Sequence, residues 1–185
     1  MVNKESIKDH IIHITTGLIE EYNGDTECIT ARMIAQKAGV SLGLVNYHFG
    51  SKDNLITECV QRIISKVVSE FRMDEDLVKD KERLTVCSIR VFDFLFDHSA
   101  ISRISILGDL NNYLENCNSI RTQQGFMNLL KEKSDDNITI KVFMLTAAMQ
   151  VAFLGSKSVK KIQNFDLTKK EERTAYITTL VDNLF

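Results

Sequence analysis

The sequence predicts an all-α protein: an N-terminal three-helix unit containing a helix-turn-helix (residues 1–50), then a larger helical domain (residues 51–185). Three observations lead there. Proline is absent from the 185 residues and glycine occurs only 8 times, which suits long helices joined by polar turns. Apolar residues recur at spacings of three and four along most of the chain. Gly39 stands between two such runs, where a residue without Cβ can take positive φ at little cost.

The first helix is carried by Ile7, Ile11, Ile14 and Leu18 and is expected to end near Tyr22-Asn23-Gly24. Lys4 and Lys8 lie near its start. His10 and His13 share its surface, but apart from Asp9 no third metal ligand accompanies them, so no metal site is expected. From Thr30 to Asp53 the pattern tightens. Ile34, Ala35 and Ala38 fall on one face of a second helix, Val40 fills the corner after Gly39, and Ser41 offers an N-cap hydroxyl to a third helix. Val45 then turns back onto Ala35, with Phe49 near the same face. Small residues stand where two helices must touch. This is the helix-turn-helix pattern, whose second helix enters the major groove of DNA.

With Val45 inward and about 100° per residue, Gly43 and Tyr47 point away from the core, flanked by Leu44 and Asn46. Gly43 lets the backbone approach a groove closely. Leu44 suits a thymine methyl, Asn46 an adenine edge or a phosphate, and the Tyr47 hydroxyl a phosphate oxygen. Arg32 is the arginine of this stretch and the candidate for a guanine.

The run Val45-Asn46-Tyr47-His48-Phe49, followed by Gly50-Ser51-Lys52-Asp53-Asn54-Leu55, resembles the tetracycline-repressor (TetR) family of bacterial transcriptional regulators. The resemblance covers roughly residues 5 to 56, with the aliphatic helix 1, the Ala-x-x-Ala-Gly-Val-Ser turn, Tyr-x-Phe and Ser-Lys-x-x-Leu in order. It implies that Thr30, His48 and Lys52 take positions the family uses on the DNA backbone. The expected DNA-binding set is thus Thr30, Arg32, Ser41, Gly43, Leu44, Asn46, Tyr47, His48 and Lys52.

A fourth helix is expected from the Ser51 cap to about Arg72, then a charged stretch over Asp74 to Arg83. Five helical blocks follow, at 80–97, 100–115, 119–133, 138–155 and from about Thr168, the last with Thr168 as cap and Glu171 at the capping-box position. Between Val142 and Leu154 only Thr146 and Gln150 are polar, so this helix must be covered on every side. Family resemblance implies that it and the last helix form a homodimer interface, for which Phe153 and Leu180 are the chosen probes. The resemblance also implies a small-molecule effector among the middle helices. Phe92, Phe96, Leu107, Asn111, Met127 and Gln150 are its candidate lining.

Composition sets the bounds. The formal net charge is −2, whereas nucleic-acid binders are usually basic. The acids Glu20, Glu21, Asp25 and Glu27 gather at the end of helix 1, apart from Arg32, Lys37 and Lys52. Few phosphate contacts per subunit are therefore expected, with help from dimerisation. The four cysteines are far apart, without a Cys-x-x-Cys pair, and read as reduced thiols. No signal peptide and no 18-residue apolar span is present, so a cytoplasmic protein with no membrane partner is expected. No Gly-rich phosphate loop or nucleophile elbow suggests an enzyme, and no cofactor is implied. The expected function is a ligand-responsive regulator, a repressor that binds an inverted-repeat operator as a dimer and is released by a small molecule. The alternative is a helical interaction or adaptor module without an effector.

Overall fold

Ile11, Ile12, Thr15, Leu18 and Ile19 are buried along one side of α1 (Ile7–Glu21), the helix against which the second and fourth helices of the N-terminal part pack. In the computed structural model, which describes residues 6–70, 79–115, 117–130 and 137–185, every regular element is helical. A short 3₁₀ turn (Thr26–Cys28) leads into α2 (Ala31–Ala38), α3 (Leu42–Phe49) and α4 (Lys52–Glu70). Lys4, the 74–78 part of the charged stretch and the 131–133 end of the third block lie outside the described residues. Packing divides the chain into two compact units, Met1–Phe71 and Arg72–Phe185, with α4 in the first.

Each helix of the first unit begins where a hydroxyl meets an orphan amide. Ser6 accepts from the Asp9 N–H at 3.1 Å, Thr30 from Met33 at 3.2 Å, Ser41 from Leu44 at 3.2 Å and Ser51 from Asn54 at 3.1 Å. The α1 stripe differs from expectation at its start: Ile7 is 53% exposed, and Ile12 and Ile19 carry the burial instead. An apolar residue in the first turn has no packed neighbour behind it.

The second unit comprises α5 (Asp80–Asp97), α6 (Ser99–Asn111), α7 (Asn118–Leu129), α8 (Ile138–Leu154), α9 (Ser156–Ile162) and α10 (Lys170–Leu184). Its core is built on Leu84, Phe92, Phe126, Leu145, Met149, Ile177 and Val181. Phe92 stacks on Tyr176 with centroids 5.9 Å apart, and Phe96 meets Phe153 edge-on at 5.2 Å. Asp93 and Arg173, both buried, join α5 to α10 at 2.6 Å (Nε to Oδ1). Arg173 also donates to the carbonyls of Leu167 and Thr168 and lies 5.0 Å over the Phe96 ring.

Three expectations need correction here. Thr168 does not cap α10: the helix starts at Lys170 after an N-cap residue Lys169 that makes no side-chain cap. The Thr168 hydroxyl instead donates to Asp166, and Glu172, not Glu171, reaches back to the Asp166 N–H at 2.9 Å. Starting one residue later moves the third helical position to Glu172. Helix α9 is a further element, with Val159 as its one buried residue, too little apolar periodicity for sequence reading to find. Phe153, chosen as an interface probe, is only 8% exposed and belongs to the core, while Leu180 is half-buried against it.

Candidate nucleic-acid interface

The interface is built from the turn outward. Gly39 takes φ 66°, the left-handed conformation that lets α2 stop and the chain double back. Ala35 (5% exposed) and Val45 (1%) are small enough for α2 and α3 to pack closely. His10 of α1 lies with Nε2 3.2 Å from the Ala38 carbonyl, which fixes the end of α2. At the far end of α3, Gly50 has φ 74°, and the Asn54 side chain donates to the Phe49 carbonyl at 3.2 Å. Lys8 sits 3.0 Å from Glu58 and 5.5 Å over the Phe49 ring. Arg62 of α4 pairs with Asp9 of α1 as well as with Glu58, and the Ser6 hydroxyl and the Arg62 guanidinium hold the Asp9 carboxyl below its ordinary pKa. Cys59, buried near the Ile12 carbonyl, has its thiol pushed up to about 11 by burial, which leaves it protonated at neutral pH. The C-terminal end of α3 is thus held at Phe49 by Asn54 of α4 and Lys8 of α1.

With α3 held, its other face is open. Tyr47 is 82% exposed, and Gly43 and Asn46 are exposed beside it, with Leu44 half-buried on the flank. A Cβ built at Gly43 meets only the Ser41 hydroxyl oxygen at 3.8 Å, so the fold itself does not require glycine there. Arg32 is exposed on α2. His48 is half-buried, its ring edge-on to Tyr47 at 5.2 Å. Thr30 and Ser41 are exposed at the helix starts, where their hydroxyls are engaged as caps. Lys52 donates to the Thr26 carbonyl at 2.8 Å and keeps 24% of its side chain exposed. Leu42, absent from the expected set, is 36% exposed at the first position of α3. Its position directly after the Ser41 cap was the available signal, since helix-turn-helix proteins read bases from the start of the recognition helix.

The candidate effector residues are more dispersed. Phe92 and Phe96 touch in the core at 5.2 Å, and Met127 packs against the same cluster. Gln150 donates to the Ser119 hydroxyl at 2.7 Å, and Ser119 in turn bonds Asp109 through both its hydroxyl (2.6 Å) and its N–H (2.7 Å). Leu107 and Asn111 stand exposed on α6.

A helix-turn-helix with a packed inner face and an open, partly apolar outer face, followed by a helical domain, defines a class: helical DNA-binding regulators. Residues 26–59 match the family model of bacterial regulatory proteins of the tetR family. Residues 26–59 thus carry a helix-turn-helix segment similar to that of the tetR family. Its fold is similar to that of a TetR transcriptional regulator from Rhodococcus sp. RHA1, at TM-score 0.62 and 14% identity over 95% of this chain and 92% of that one. A TetR-like transcriptional regulator from the same organism matches at TM-score 0.63 and 14% identity, covering 99% and 97%. No curated protein matches. Among the described residues, no single helix is long and apolar enough to cross a membrane.

Proposed function

We infer that the chain is a cytoplasmic repressor that binds an inverted-repeat operator as a homodimer and releases it when a small molecule binds the second unit. The observation that carries the DNA part is the two-sidedness of α3. Val45 and Phe49 are 1% and 7% exposed, whereas Tyr47 is 82% exposed beside the open Gly43. In this reading Leu42, Gly43, Leu44 and Asn46 face base edges. Tyr47, Thr30, Ser41, His48 and Lys52 address the backbone, and Arg32 reads a guanine.

Dimerisation is supported by α8, which is apolar on both sides. Val142, Leu145 and Met149 fill the core, while Ile140 (58%), Phe143 (49%), Met144 (48%) and Val151 (66%) form an exposed outer stripe. A second copy offers the same apolar stripe to cover it. Two half-sites also compensate for the few cations on each subunit. For the effector, Phe96, Met127 and Gln150, which are partly buried in the second unit, are the candidates to meet an apolar molecule carrying a polar group, whereas Phe92 is fully packed in the core and Leu107 and Asn111 are exposed on α6.

Selection of bound DNA from a random duplex pool tests the reading. An enriched inverted repeat, with half-sites about 34–36 Å apart or one groove further, is the expected result. No enrichment at low salt overturns it. For the effector, compounds that raise the thermal midpoint should shift operator affinity roughly 5–150-fold. Stabilising compounds that leave operator affinity unchanged bind both states equally and are not effectors.

A further inference from the structure

We propose that the first unit carries a binding site for a small organic cation, an ammonium group on an apolar body, in a groove between α1 and the end of α2. The groove has a volume of about 540 Å³, and every residue that lines it belongs to this unit. Small-molecule sites occupy roughly 300–1,000 Å³. Half-buried Ile14 and the 1% exposed Leu18 make its apolar floor. Gly17 lies open beside them: a Cβ built there meets nothing within 4 Å. Glycine inside a helix is less stable than alanine, and the fold gains nothing from it at this position. The space it leaves is therefore space for something outside the chain.

Charge decides what that is. Glu21 is paired with Lys37 of α2 at the rim, so those two groups neutralise each other. Glu20 is exposed at the same rim, and its carboxylate has neither an ion pair nor a hydrogen bond among the described residues. One unmatched negative charge over an apolar floor is answered by one positive charge on an apolar body. His13, Gly17 and Glu20 follow at i, i+4 and i+7 and so share one face of α1, where the His13 ring flanks the bare backbone and Glu20 receives the ammonium. A metal ion does not fit, since no group of three His, Cys, Asp or Glu side chains among the described residues could hold one. A phosphate is repelled by the same carboxylate. The site is independent of operator binding and of an effector in the second unit.

The experiment uses the full chain labelled at its glycine nitrogens and follows the amide signals of the 8 glycines by NMR, with Gly17→Ala identifying the signal of Gly17. The probes are phenethylammonium, phenethyl alcohol and phenylacetate, which share an aromatic body and differ in charge. Phenethylammonium should move the Gly17 signal with roughly millimolar affinity, in keeping with its size. Phenethyl alcohol should bind about two- to fivefold more weakly, the worth of one exposed ion pair, and phenylacetate more weakly still. Glu20→Gln should leave the thermal midpoint in place and erase the difference between cation and alcohol, which folding damage does not do. A Gly17 signal that stays still, as when a second copy covers the groove, overturns the proposal. So does equal movement with all three probes, or a preference for the cation that survives Glu20→Gln. Shifts confined to Gly108, Gly125 or Gly155 place the cation in the second unit and overturn it as well.

Discussion

Lys52 Nζ lies 2.8 Å from the carbonyl oxygen of Thr26, which ties the first turn of α4 to the turn that leads into α2. An ammonium has three donors, so this bond orients the side chain and leaves donors for a phosphate oxygen. Lys52→Ala should weaken binding to all DNA sequences alike and make the plot of log affinity against log salt shallower by about one. Titrations at several salt concentrations on operator and on unrelated DNA check this. A loss confined to the operator contradicts it.

The Asp93–Arg173 pair predicts an asymmetry between single and double replacement. Both groups are nearly buried, and Arg173 has further hydrogen bonds to two carbonyls. Removing one partner strands a charge, so Asp93→Ala should cost about 3–5 kcal/mol in a denaturant melt. Replacing both with apolar residues of similar volume should recover most of that loss. Equal costs for the single and double variants contradict the assignment.

Acid titration of Asp166 gives a prediction with a definite sign. Its carboxyl accepts from Lys160 Nζ at 2.6 Å and from the Thr168 hydroxyl at 2.7 Å, and these bonds lower its pKa from 3.8 to about 2. The native state thus binds this proton less readily than the unfolded chain. The stabilisation is fully present above pH 3.8 and is lost as pH falls through about 2. The stability gap between wild type and Asp166→Asn should therefore be constant at neutral pH and close in that acid window. A gap independent of pH excludes this carboxyl as the origin.

Much of the first unit was legible in sequence because its determinants are local. Thr30, Ser41 and Ser51 each cap a helix three residues on, and Gly39 marks its own turn. The inward side of α3 followed from Val45 alone. The Asp93–Arg173 pair was invisible because 80 residues separate its partners, and no local pattern registers such a contact. Phe153 was misplaced for a related reason. On a helix apolar all round, periodicity does not say which side is inward, and only packing against Phe96 decides it. The Thr168 cap failed by a single residue, since Asp166 captures the hydroxyl first.

That same ambiguity on α8, once resolved, yields the dimer test. Phe143 and Val151 are 49% and 66% exposed in the single chain, so Phe143→Asp or Val151→Asp should leave the subunit folded. In a dry interface the new carboxylate loses hydration without gaining a partner. Sedimentation at micromolar concentration should show a wild-type dimer and a monomeric variant, and operator affinity should fall with it. A wild-type monomer contradicts the arrangement.

The placement of the α3 backbone against a DNA groove is the central claim, and Gly43 tests it most directly. The position has room for a Cβ and lies inside a helix, where alanine is favoured over glycine by about 0.5–1 kcal/mol. Folding and DNA contact therefore pull in opposite directions at this one residue. Gly43→Ala should keep or raise the thermal midpoint and yet lower affinity for the selected operator at least tenfold, about 1.4 kcal/mol. A variant with a raised midpoint and undiminished operator affinity would show that no groove lies against this face of α3.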